Sequence, residues 1–167
     1  MSASQHTITA TGVDNPIGAA GYSHAATPYV RSQEINGTTQ KLFRIHTLGH
    51  GNAVNDDFKI SISNIKAAGS VTGDDYGSFT LQVRKGDDTD TRPVSLETYA
   101  NLSLDPANPN YIARRIGSQF RSYDSNGKLI VNGFYPNISK YIRVEVDEAV
   151  DNAVVSANVV PFGHEAY

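Results

Sequence analysis

Ser78 to Tyr99 reads SFTLQVRKGDDTDTRPVSLETY. Phe79, Leu81 and Val83 alternate with Thr80, Gln82 and Arg84, the period of two that sends one set of side chains to a buried strand face. The acidic run GDDTDTRP breaks the pattern and VSLETY follows, so the segment is predicted to be a hairpin with a ragged tip.

The same alternation spreads to both sides. Upstream, KLFRIHTL (41–48) places Phe43 and Ile45 on the face expected to be buried, with Leu42, Arg44, His46 and Leu48 opposite. The turn-rich GHGNAVNDD leads into FKISISNI, where Phe58, Ile60 and Ile62 point inward. Downstream, FRSY and LIV flank DSNGK, and Asn126-Gly127 suits a tight turn, so a second hairpin is expected. KYIRVEVDE sets Ile142, Val144 and Val146 against Arg143, Glu145 and Asp147, and NAVVSANVV offers a last apolar run before Pro161. Six to eight strands are expected. Residues 1–40 are small, polar and interrupted by Gly12, Pro16, Gly18, Gly21 and Pro28, and are expected to form an irregular arm or lead-in segment. The β-rich domain is placed at 41–163, with 164–167 as a tail.

One helix interrupts this pattern, in LSLDPANPNYIARRIG (102–117). Asp105-Pro106 and Asn108-Pro109 pair a capping residue with a first-turn proline, with Asn108 the favoured N-cap. Ile112 and Ile116 share a face, Arg114 and Arg115 occupy the last turn, and Gly117 is the stop. The expected fold class is therefore α+β: a predominantly antiparallel β-sheet or sandwich with one or two short helices packed on it.

The 167 residues suffice for one domain with its own core. Fourteen Lys and Arg against 17 Asp and Glu give a net charge of −3 with no basic stripe, so nucleic acid is not an expected partner. The absence of cysteine excludes disulfides and thiolate–zinc sites. No apolar run reaches the roughly 18–20 residues of a membrane span, and MSASQHTITATG lacks the layout of a secretory signal. A soluble chain with no membrane partner is expected.

Candidate chemistry is sparse. His46 and His50 are four apart, but Gly49 and Gly51 speak against a helix that would aim both at one metal, and a zinc-protease Glu is missing. These two, like His6, His24 and His164, are expected to be surface or loop histidines. Asp87, Asp88 and Asp90, and the pair Asp74-Asp75, lack the spacing of a calcium loop and are expected to be solvated. Phosphate-cradling, nucleophile-elbow and dinucleotide motifs do not occur, so no catalytic, cofactor-binding or metal-binding residue is assigned. Arg114 and Arg115, helped by Arg121 and Lys128, could pair with an anion; alternatively one packs its stem on the sheet while the other is solvated or pairs with Glu97.

An ordered set of residues carries a family resemblance. Val83-Arg84 ends a strand, an acidic insert follows, and then come Glu97-Thr98-Tyr99, Asn101-Leu102-Ser103-Leu104-Asp105-Pro106, Asn110-Tyr111-Ile112 and Ile116-Gly117. This series resembles the contractile tail sheath proteins of T-even-like bacteriophages, as does the strand-loop-strand stretch LFRIHTLGHGNAVNDDFKISISNIK before it. The resemblance runs from Lys41 to Gly163. It implies a structural subunit, not an enzyme, without cofactors. Such a subunit polymerises around a tail tube and contracts without nucleotide hydrolysis to drive genome delivery. The implied partners are further sheath copies, the tail tube protein, the baseplate and the tail terminator. The implied location is the virion tail, assembled in the host cytoplasm. Sheath proteins of this group are several times longer, so the resemblance implies one domain or a truncated relative. The helix would then be a packing element with one face free for neighbours. A different class, a β-sandwich carbohydrate-binding or adhesin module of a tail fibre or surface protein, is compatible with nine tyrosines, though the absence of tryptophan weighs against it.

Overall fold

The computed structural model describes residues 24–49, 54–70 and 75–165. Nine strands and three single-turn helices follow in the order β1 (Val30–Ser32), β2 (Lys41–Thr47), α1 (Val54–Asp57), β3 (Phe58–Lys66), β4 (Ser78–Lys85), β5 (Ser95–Ser103), α2 (Ile112–Ile116), β6 (Phe120–Tyr123), β7 (Leu129–Asn132), β8 (Ile142–Val146), α3 (Glu148–Asp151) and β9 (Pro161–His164). They form a four-stranded sheet β8-β2-β1-β9, a three-stranded sheet β3-β4-β5 and the two-stranded hairpin β6-β7. All strand pairs are antiparallel. The α+β, mainly antiparallel class is the one expected.

The two larger sheets meet face to face. Phe43 of β2 stacks on Phe79 of β4 with ring centroids 5.7 Å apart and planes 7° from parallel. Around them lie Ile45, Leu81, Val83, Ile142 and Val144, all buried, as the alternation in β2, β4 and β8 requires. Leu42 is also fully buried, although the alternation sets it opposite Phe43. Both faces of β2 are therefore partly covered, and Thr80 and Arg84 on the second face of β4 are buried likewise. A strand covered on both sides loses the clean inside-outside contrast of a one-faced sheet.

Three expectations are corrected. Residues up to 40 are not uniformly irregular: β1 lies inside the four-stranded sheet, and Ala26 bridges His46 further along β2. The β1–β2 hairpin closes on Asn36 and Gly37, both at positive φ (52° and 78°), with reciprocal hydrogen bonds between Ile35 and Thr38. At the other end, the domain does not stop at 163, because β9 includes His164 and the Glu165 amide donates to the Tyr29 carbonyl. NAVVSANVV is not a strand; α3 ends at Asp151 just before it and turns occupy it, with Val155 and Val159 buried as anchors. The earlier part of the arm, with His6, lies outside the described residues, as do His50, Gly51 and Asp74.

The predicted helix forms, but it is shorter and starts later. Asn108 does not cap it: its side-chain oxygen accepts from the Asn110 amide in a preceding turn, and α2 begins after Tyr111 without a side-chain cap. Ile112 and Ile116 are fully buried, and Arg114 and Arg115 face solvent. Gly117 is the stop, at φ +112°. An added Cβ there would lie 2.3 Å from the Asn137 Cα. No helix among the described residues is long and apolar enough to cross a membrane.

Candidate functional site

The residues that carry the family resemblance are gathered along β4, β5 and α2, and most of them pin the fold. Arg84, at the end of β4, reaches into the hairpin tip. Its Nε and Nη2 donate to the two carboxylate oxygens of Asp88 (both 2.8 Å) and its Nη1 to Asp90 (2.9 Å). Lys59 of the neighbouring strand lies 2.7 Å from the same Asp88, and the Val94 amide donates to it at 2.6 Å. The Asp88 side chain has no exposed surface, so this acidic tip is not simply solvated, as expected from sequence; it is a latch for the turn. Hydrogen bonds from Arg84 hold the Asp88 carboxyl well below the usual carboxylate range. Asp87, beside it, pairs only with Lys85 at the surface.

Glu97 clamps β5 to the approach of β8. It accepts from the Tyr99 hydroxyl (2.9 Å), the Ser139 hydroxyl (2.5 Å) and the Lys140 amide (3.0 Å). Burial, assisted by the Glu97 charge, pushes the Tyr99 phenol up to about 12. Glu97 is thus taken by the 139–140 turn, and neither Arg114 nor Arg115 is its ion-pair partner. Thr98 lies within 2.8 Å of the Ser95 hydroxyl, and Asn101 sits at φ +55° near the end of β5. Leu102 and Leu104 are buried. Asp105 accepts from the Ala107 amide in the turn that contains Pro106, and the Asn110 carbonyl accepts from Ser103. The fully buried Tyr111 donates its hydroxyl to Asp151 of α3 and meets Tyr135 edge-on at 5.9 Å. Burial and the Asp151 charge keep that phenol protonated far above its ordinary range. These residues hold strands, turns and helices together and converge on no shared cavity.

A second constellation escaped the sequence reading. On the β2–β8 pair, Arg44 stands opposite Glu145, and His46 opposite Arg143. Directly opposed residues share a face in an antiparallel pair, so four titratable groups meet there. Glu145 accepts two hydrogen bonds from Arg44 (both 2.9 Å), one from the Tyr29 hydroxyl (2.6 Å) and one from His46 Nε2 (2.6 Å). Burial alone would raise its pKa, but these donors and the Arg44 charge outweigh burial and lower it from 4.5 to about 2. Burial, reinforced by Arg143, pushes the His46 imidazole down, so at neutral pH it is uncharged and donates from Nε2. Burial and Glu145 raise the Tyr29 phenol to about 12. His46 is therefore a buried strand residue with a carboxylate partner, not the surface or loop histidine expected from sequence.

Beyond this cluster the β6–β7 hairpin leaves Phe120, Tyr123, Leu129, Ile130, Val131 and Phe134 exposed, with Phe134 93% and Val131 59% accessible. Such a run on a two-stranded element exceeds scattered surface apolarity and marks a surface suited to another molecule. No group of three or more metal-ligating side chains occurs among the described residues. Comparison with protein-family models, curated proteins and solved structures returns no match for the chain.

Proposed function

We propose that the chain is a structural subunit, or one domain of one, of a phage contractile tail sheath, which packs against copies of itself and against the tail tube. The reading rests on the ordered resemblance from Arg84 to Gly117. The observation that supports it is how those residues are used. Arg84, Glu97, Asp105 and Tyr111 each close a loop or join two elements, and Tyr99 holds the Glu97 carboxylate in place, which suits a rigid building block. The adjoining hairpin turns six large apolar side chains outward, the kind of surface that repeated protein contacts bury. In this role the chain makes protein contacts only, with further sheath copies, the tube, the baseplate and the tail terminator, and resides in the virion tail.

Immunogold electron microscopy of particles from the source lysate, with antibody raised on this chain, tests the proposal. Gold along the whole tail is the expected outcome. Gold confined to fibres or to the baseplate, or absent from tails, would refute it.

A further inference from the structure

Arg143 is the one charged side chain of the β2–β8 cluster that makes neither an ion pair nor a hydrogen bond with a described residue; Glu145 acts on its charge only through space. Arg143 is 8% exposed. Its guanidinium carbon lies 4.7 Å from the centroid of Phe120. Both residues line a surface cavity of about 180 Å³, with Ser118, Gly133, Phe134 and Tyr135 around them. Guanidinium has five N–H donors in a fixed fork that matches a carboxylate, and since no buried side-chain nitrogen among the described residues lacks a partner, the Arg143 donors open onto this cavity. Two carboxylates, Glu145 and Asp151, also line the cavity, but both are engaged, Glu145 by Tyr29, Arg44 and His46 and Asp151 by Tyr111.

The surroundings define what would complete Arg143. The cavity has room for a carboxylate on a short apolar stem and little more. Its rim continues into the outward-facing apolar side chains of the β6–β7 hairpin, Phe120 and Phe134 among them. Among the described residues each strand of that hairpin has one neighbour in the sheet, which leaves outer edges on which an extended backbone can lie. We propose that this cavity is the docking pocket for an acidic side chain of an extended polypeptide, whose carboxylate pairs with Arg143 while its flanking residues cover Phe120 and Phe134. The proposal stands independently of the sheath reading, since it concerns the chemistry of the ligand and not its source.

The test is an NMR titration of the 15N-labelled full chain with three probes: Ac-Ala-Glu-Ala-NH2, the same peptide with Gln for Glu, and sodium acetate. The Glu peptide is expected to shift the Phe120, Gly133 and Phe134 amides and the Arg143 Nε–H saturably, with the Gln peptide about tenfold weaker or worse. Arg143→Met is expected to erase that preference. Because that variant removes a covered side chain, Phe134→Ser provides a second arm: at 93% exposure it leaves the fold unchanged, and it is expected to weaken the Glu peptide severalfold. Equal binding of Glu and Gln peptides, a preference that survives Arg143→Met, unchanged binding to Phe134→Ser, or no saturable shift would each overturn the proposal. Acetate binding as tightly as the Glu peptide would overturn the polypeptide assignment and leave a site for small anions only.

Discussion

Replacing Glu145 by Gln removes the carboxylate on which Tyr29, Arg44 and His46 converge while keeping the side chain's size. Folding lowers the Glu145 pKa from 4.5 to about 2. Between those values the folded chain binds fewer protons than the unfolded one, so stability falls as pH drops through that window. The contribution is complete above about pH 5.5 and gone below about pH 2. At about 1.4 kcal/mol per pKa unit the upper limit is about 3.4 kcal/mol. The side chain is 34% exposed and water screens the pairs, which reduces the expected figure to about 1–2 kcal/mol. Urea denaturation followed by far-UV circular dichroism, on wild type and Glu145→Gln from pH 7 to pH 2.5, measures it. The variant should be less stable by that amount at pH 7, and the two curves should converge towards pH 2.5. A difference that stays constant across the range, or no difference at pH 7, would refute the assignment of Glu145 as the charged centre of this cluster.

Other outcomes follow from the packing. Gly117→Ala forces a Cβ to within 2.3 Å of the Asn137 Cα at a left-handed φ, and should destabilise by about 3 kcal/mol in a thermal melt. Ile116→Asp puts an unpaired charge into the core beneath α2 and should cost about 3–5 kcal/mol, whereas Arg114→Ala and Arg115→Ala, on the exposed face, should stay within about 1 kcal/mol. Asp88→Asn weakens the latch, so the Val94 amide should exchange with deuterium markedly faster while amides in the centre of β4 keep their protection; uniform loss of protection would mean the latch is integral to the whole sheet.

The strands whose apolar residues alternate were legible. Phe79, Leu81 and Val83 alternate as read and are buried, and DSNGK turns as its sequence suggests, with Gly127 at φ +77° and Asp124 accepting from the Asn126 and Lys128 amides. Where the reading failed, long-range pairing had overridden local pattern. β1 is three residues long within Gly- and Pro-rich sequence, and nothing local to VRS distinguishes it; its strand state comes from β2 on one side and β9 on the other. A signal was nonetheless present in Asn36-Gly37, the dipeptide suited to two successive positive φ angles, which announces a hairpin between 30 and 41. Asn108 has a capping chemistry that a turn used before the helix could. The Glu145 cluster was half visible: alternation puts Arg44 with His46 and Arg143 with Glu145, each pair on one strand face. Only the β2–β8 register brings the pairs together, and register between segments about a hundred residues apart is not written in either segment alone.

The pairing of β1 with β9 has a mechanical consequence. Val30 lies opposite His164 and Ser32 opposite Pro161, so the chain enters β1 and leaves β9 at the same end of one antiparallel ladder, where Arg31 and Glu165 are joined at 2.6 Å. The residues before β1 are tied to β2 through Thr27 and Ile45, so tension on the segment after β9 would load the Val30–His164 end of the ladder and open it rung by rung, instead of shearing all its hydrogen bonds at once. Peeling β9 away in this manner leaves β1 held by β2 and the stacked Phe43–Phe79 contact untouched, so the domain can pay out a short length of chain under load while its core stays closed.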